Sequence, residues 1–195
     1  MQAFWNRKSR MLKYLHDKKA PFFAIDLETT GLNPKQDRIV SVGFLPFTRE
    51  SIQASDGVAA LVQHEKVTQS IAIHEVTPEL AREGWTEKVL LQHIEPYLDH
   101  IWVGHYLDLD IGFLRAAFKR HQMQWKSPRL VDTLQLQLHL DRHIRHEQRL
   151  DAKAYTLEQL CERQGIPVQD SHTALGDALL AALLCQSLAK RLDQA

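Results

Sequence analysis

Phe22-Phe23-Ala24-Ile25-Asp26-Leu27-Glu28-Thr29-Thr30-Gly31-Leu32 sets two carboxylates into an otherwise apolar run bracketed by Pro21 and Gly31. The aromatic, small and branched residues from 22 to 28 predict a short buried strand. Strand side chains alternate with a period of two, so Asp26 and Glu28 project from one face. Two like charges about 4 Å apart repel by roughly 1 kcal/mol in water and several-fold more near a protein surface. An Asp-x-Glu pair at a strand end therefore suits a cationic partner, and a hard divalent ion with oxygen ligands removes the repulsion. The pair alone also reads as a solvated strand end before a Thr-Thr-Gly turn, so residues elsewhere must decide between the two.

The 195 residues suit one domain with a sizeable core, and 44% hydrophobic with 25% charged residues excludes a disordered chain. Twenty-four basic residues balance 24 acidic ones, so a polyanion must be held by a local patch or a metal site and not by overall charge. Cys161 and Cys185 are the only cysteines, which rules out a disulfide framework or a four-cysteine zinc site and fits a reducing cytosol. The apolar runs are too short to span a bilayer, and the basic N-terminus lacks the apolar core of a signal peptide. A cytoplasmic protein with no membrane contact is expected.

Residues 1–20 form a basic extension predicted to be helical, with Arg7, Lys8, Arg10, Lys13, Lys18 and Lys19 on one side and Phe4, Trp5, Met11, Leu12 and Leu15 on another. The pattern suits contact with nucleic acid or a membrane surface, or, more simply, a solvated basic face on a helix whose apolar side docks on the domain. Residues 21–195 read as the main domain. After the first strand, Arg38 to Phe47 reads as a second, and Ile52 to Val62 as a third with a bend at Asp56-Gly57. Short connections make these three an antiparallel meander.

Thr77-Pro78-Glu79 starts a short helix, and Thr86 to Leu98 carries an apolar stripe weakened at Pro96. Ile101 to Gly104 is a brief buried strand, Asp110 opens a helix over Ile111 to His121, and Arg129 to Thr133 is a last strand leading into a helix through Leu140. Residues 141 to 154 read as a surface loop, and Thr156 to Gln164 and Thr173 to Leu192 as the final helices. His139, His143 and His146 share a helical face but read as a solvated or substrate-facing patch more readily than as a transition-metal site.

Two further acidic signals stand beside the first. Gly104-His105-Tyr106-Leu107-Asp108-Leu109-Asp110-Ile111-Gly112-Phe113-Leu114 and His172-Thr173-Ala174-Leu175-Gly176-Asp177-Ala178 both place carboxylates near helix starts, where an aspartate caps the helix or answers its dipole. Asp177 is less easily explained that way, being a lone acid in a run of Ala and Leu. Five positions on a helix separate side chains by roughly 140°, so His172 belongs in the loop before that helix.

Asp26-Leu27-Glu28, then His105-x₄-Asp110-x₂-Phe113-Leu114, then His172-x₄-Asp177, resemble in order and spacing the DnaQ-like 3′–5′ exonucleases of the DEDDh type. The resemblance extends from about Phe22 to the C-terminal helix and includes the Thr29-Thr30-Gly31-Leu32 turn, Ile73 to Glu79, and Val131-Asp132-Thr133-Leu134. It implies an α/β, RNase H-like fold, a five-stranded mixed sheet whose first three strands are antiparallel, with helices on both sides. It also implies Asp26, Glu28, Asp110 and Asp177 as ligands of two Mg²⁺ or Mn²⁺ ions and His172 as the base that takes a proton from water. Thr29, Thr30, Gly31, Leu32 and His105 would hold the 3′-terminal nucleotide.

Tyr106 and Leu109 depart from the Asn and the aromatic residue common in the family, which bears on the nucleotide pocket and not on the metal chemistry. Asp108 is a rival to Asp110, but Phe113-Leu114 keeps the family's spacing from Asp110. The expected function is release of nucleoside 5′-monophosphates from 3′ ends of single-stranded DNA, with a DNA polymerase as a candidate partner. The alternatives are an RNA-trimming exoribonuclease and a non-catalytic nucleic-acid-binding module of the same fold.

Overall fold

The computed structural model describes residues 11–63, 83–141 and 155–194. Five strands form one sheet: β1 (Phe22–Thr29), β2 (Ile39–Phe47), β3 (Val58–Leu61), β4 (Ile101–Gly104) and β5 (Arg129–Asp132), in the spatial order β3-β2-β1-β4-β5. β1, β2 and β3 pair antiparallel, whereas β4 pairs parallel to β1, and β5 parallel to β4. The mixed sheet is the expected one. β1 therefore lies in the middle with its carboxyl end where the direction of pairing changes, the place at which open α/β sheets form crevices.

Among the described residues, the α-helices that follow β1 are α1 (Glu87–Ile94), α2 (Asp108–Arg120), α3 (Thr133–Leu140), α4 (Leu157–Arg163) and α5 (Ala174–Asp193). Alternate residues of β1 divide the core. Phe22 and Ala24 pack with α3, α4, α5 and the N-terminal residues Met11 and Leu15. Phe23, Ile25 and Leu27 pack on the other face with α1 and α2 through Leu90, Leu91, Ile94, Phe113, Leu114 and Phe118. Aromatic contacts strengthen this second layer, with Phe23 stacked on Tyr97 at 4.4 Å and tilted against Trp102 at 5.1 Å. Among the described residues no helix is long and apolar enough to cross a membrane.

Residues 11–16 are helical and bury Met11 and Leu15 against the domain; Phe4 and Trp5 of the expected apolar side lie outside the described residues. Arg49, itself buried, fastens this contact by donating to the Leu15 carbonyl and by pairing with Asp193 at 2.7 Å.

Three boundaries differ from the sequence reading. The expected third strand from Ile52 is broken up: Ile52 makes a single bridge to Phe47, Ala54–Asp56 form a 3₁₀ turn, and only Val58–Leu61 joins β2. The Asp56-Gly57 bend is thus a complete turn. The helix from Thr86 ends as α-helix at Ile94, where Pro96 converts the continuation into a 3₁₀ turn over Glu95–Tyr97. The helix expected from Ile111 begins three residues sooner, at Asp108, so both Asp108 and Asp110 occupy its first turn. The segment around Thr77-Pro78-Glu79, most of the 141–154 loop, and His143 and His146 lie outside the described residues.

Candidate active site

The carboxyl end of β1 brings the first two acids together as the period-two alternation requires. Carboxylate oxygens of Asp26, Glu28 and Asp177 all lie within 4.8 Å of one another. Asp177 reaches them because the first turn of α5 lies directly on β2. A Cβ placed on Gly43 would sit 2.0 Å from the Leu175 nitrogen and 2.1 Å from the Ala174 carbonyl carbon, so only glycine admits this approach. Gly43 is the ladder partner of Asp26, which fixes the helix start beside the strand end.

Asp110 arrives from the opposite layer. It sits on the first turn of α2 with 6% of its surface exposed, and its Oδ1 accepts a hydrogen bond from the Leu27 N–H at 3.1 Å. Asp108, the rival, is exposed. The start of α2 is itself positioned by Asp132, whose Oδ2 accepts from Leu107 N at 2.9 Å while its Oδ1 accepts from Gln135 N and caps α3. Asp132 was legible only as a residue of the Val131 to Leu134 run, and its role in holding two helix starts comes from the fold.

The electrostatics record the cost of this assembly. Burial, then the charges of Asp110, Asp177 and Glu28, push the Asp26 carboxyl up to about 9. Burial pushes Asp110 up to about 8, against the lowering effect of backbone N–H donors including Leu27. Asp177 is also raised, first by burial and then by Glu158 and Glu28, against the N–H of His172, which donates to its Oδ1 at 3.3 Å. Carboxylates that resist ionisation beside one another are stabilised as anions by a cation between them.

His172 occupies the loop before α5. The loop is shaped by two residues in the left-handed region, Asp170 (φ 53°) and His172 (φ 67°), and by Thr173, which caps α5 at Gly176 N and donates to the Asp170 carbonyl at 2.7 Å. The imidazole is 81% exposed, and its Nδ1 lies 3.9 Å from Oε1 of Glu158 on the first turn of α4. Glu158 did not stand out in the sequence, where Thr156-Leu157-Glu158 carries only the signature of a helix start.

The turn after β1 is held by Asp37. Its carboxylate accepts from Asn33 N at 2.8 Å and lies within 3 Å of where a Gly31 Cβ would be, so the chain wraps around that side chain. Thr30 N donates to the Arg38 carbonyl and Thr29 Oγ1 to the Gly31 carbonyl. The turn leaves Leu32 78% exposed, more than any other large apolar side chain described. His105 is partly buried, with Nδ1 2.9 Å from Thr133 Oγ1 and Nε2 3.0 Å from the Tyr155 carbonyl. Both ring nitrogens are thus engaged within the protein, leaving the ring surface for any contact with a ligand. Tyr106 (φ 57°) stands edge-on to that ring and is exposed.

An exonuclease family, RNase_T, matches residues 23–185. The chain is 26% identical over 180 residues to DNA polymerase III PolC-type of Pediococcus pentosaceus, covering 91% of this chain and 12% of that protein. It is 28% identical over 178 residues to 3′-5′ exonuclease DinG of Staphylococcus epidermidis, covering 90% and 19%. Among solved structures, Escherichia coli exonuclease I with a dT13 oligonucleotide superposes with a TM-score of 0.71 at 18% identity, covering 90% of this chain and 42% of that one. A zinc-bound complex of the same enzyme with single-stranded DNA gives 0.73. The chain thus spans under a fifth of these curated relatives and about two fifths of the solved chains. The structural likeness is one of fold, RNase H-like with a five-stranded mixed sheet. With the family matched across most of its length, the chain belongs to the RNase_T exonuclease family, as its three acidic motifs led us to expect.

Proposed function

We propose that the chain is a metal-dependent 3′–5′ exonuclease that releases nucleoside 5′-monophosphates from single-stranded DNA. The observation that carries this reading is the convergence of Asp26, Glu28 and Asp177 oxygens within 4.8 Å at the end of β1, with the Asp110 carboxylate raised by burial and by neighbouring acids including Glu28. The donor set is all carboxylate, without Cys or an imidazole among the three converging groups, which fits a hard divalent ion. Asp26, Glu28, Asp110 and Asp177 would hold two Mg²⁺ or Mn²⁺ ions, whose chemistry is Lewis-acid stabilisation of the attacking and leaving oxygens of an in-line displacement.

The chain's own groups supply the remainder. His172, exposed at the rim, accepts the proton of the attacking water as its oxygen bonds to phosphorus, and the P–O3′ bond breaks with its electron pair passing to the 3′ oxygen. Thr29, Thr30 and Gly31 offer a backbone turn to the terminal sugar. Leu32 presents an apolar surface to the last base, and the ring of His105 lines the same pocket. A site that grips one terminal nucleotide suits an unpaired end. The likeness to DNA polymerase III PolC-type makes a DNA polymerase a candidate partner, and the likeness to exonuclease I in complex with a dT13 oligonucleotide favours DNA over RNA.

The test is incubation of the purified protein with 5′-labelled single-stranded DNA and RNA of matched sequence, with Mg²⁺ and with EDTA. A ladder shortening from the 3′ end on DNA, abolished by EDTA and by a 3′-phosphate, is expected. Internal cuts appearing before mononucleotides would remove the reading, and faster loss of the RNA would move it to an exoribonuclease.

A further inference from the structure

Glu158 is a carboxylate at the site that the four acids do not account for. It projects from the first turn of α4, with its side chain 29% exposed and Oε1 3.9 Å from Nδ1 of His172. Its charge reaches both Asp177 and His105. α4 is a firm base for it. Thr156 caps the helix at Gln159 N, Leu160 and Cys161 are fully buried, and Cys161 Sγ lies 3.8 Å from the Leu180 carbonyl of α5. His172 by contrast stands on a loop with its ring mostly in solvent, so its backbone direction is set by φ but its ring orientation is not set by packing.

Resting on the exonuclease reading above, we infer that Glu158 is a positioning residue that orients the imidazole of His172. At 3.9 Å the Glu158 carboxylate oxygen lies outside hydrogen-bond distance of Nδ1 but is placed beside that ring nitrogen. A carboxylate at Nδ1 favours the tautomer that carries its proton there, which leaves Nε2 free to accept a proton from water. Glu158 itself touches no reacting atom. Its position on a different helix from His172 and Asp177 means that the orientation of the ring depends on the docking of α4 against α5.

Glu158→Gln, isosteric and on a helix surface, tests the assignment in the wild-type and His172→Ala backgrounds. In the wild-type background kcat should fall about 10- to 100-fold with KM and Mn²⁺-dependent melting unchanged, the usual cost of losing a carboxylate that orients a histidine. With His172→Ala already present it should cause no further loss, because there is no ring left to orient. The ¹⁵N shifts of the His172 ring in the metal-free protein should report the Nδ1–H tautomer, and the variant should lose that preference. Equal losses in both backgrounds, an unchanged kcat and tautomer, or loss of the Mn²⁺ effect would each overturn the inference. A wild type that releases no mononucleotide while the tautomer still responds to Glu158→Gln would count against the exonuclease reading and not against the contact.

Discussion

Asp26 and Gly43 are direct partners across the β1–β2 ladder, and the side chain that Gly43 lacks is the space through which α5 brings Asp177 to Asp26. A glycine on one strand thereby sets the distance between carboxylates on two other elements.

Gly43→Ala should therefore act on the site more than its size suggests. The added methyl would lie 2.0 Å from the Leu175 nitrogen, against backbone that has no rotamer to change. Overpacking of this kind costs about 1–3 kcal/mol, and a misplacement of about 1 Å costs roughly 100-fold in rate. Gly112→Ala is the control, because its Cβ meets only Pro34 Cγ at 3.2 Å and alanine favours the helix. Thermal melting and kcat of the two variants check the contrast: Gly43→Ala should lose both, and Gly112→Ala neither.

The metal-free protein should lose stability as pH rises. Asp26 at about 9 and Asp110 at about 8 hold protons in the folded chain that the unfolded chain, near 3.8, has released. Their contribution is complete below the unfolded value and disappears as pH climbs through the folded ones. Melting in EDTA between pH 5 and pH 9 should fall steadily, and Asp26→Asn should flatten the slope and melt higher than wild type at the alkaline end. A wild-type curve that rises over this range would contradict the crowding of the acids.

Cation binding should reverse that trend. Mn²⁺ at about 100 times its dissociation constant stabilises a protein that binds it only when folded by roughly 2.7 kcal/mol. The increment should grow with pH, since the ligands must be deprotonated to bind. Asp26→Asn should lose it, and melting of the wild type that ignores both Mn²⁺ and EDTA would remove the metal site.

His172→Ala separates the base from the ligands. The side chain is exposed and in the loop, so its removal should leave the Mn²⁺ increment intact while turnover falls by roughly 10²–10⁴. Near wild-type turnover at saturating Mn²⁺ would mean that His172 does not take the proton.

The sequence by itself determined what depends on periodicity and local order. Asp26 and Glu28 share a face because strands alternate, and His172 precedes α5 because five helical positions cannot align it with Asp177. The three acidic motifs, read in order, specified the sheet and the family. The sequence was less informative where long-range contacts override local preference. Ile52 to Val62 has strand composition, yet after the single Ile52 bridge the chain enters a 3₁₀ turn and only its last residues pair with β2. As helix-start acids Asp108 and Asp110 differ in the sequence only by the spacing of Phe113-Leu114 from Asp110, whereas the fold buries Asp110 and gives its Oδ1 the Leu27 N–H. Tertiary structure alone decided the proximity of β1, α2 and α5, through Gly43, Asp132 and the burial that raises Asp26 and Asp110. It also placed Glu158 beside His172. These relationships join residues far apart in the chain, and no local pattern encodes which surfaces will meet when the two apolar layers close on the sheet.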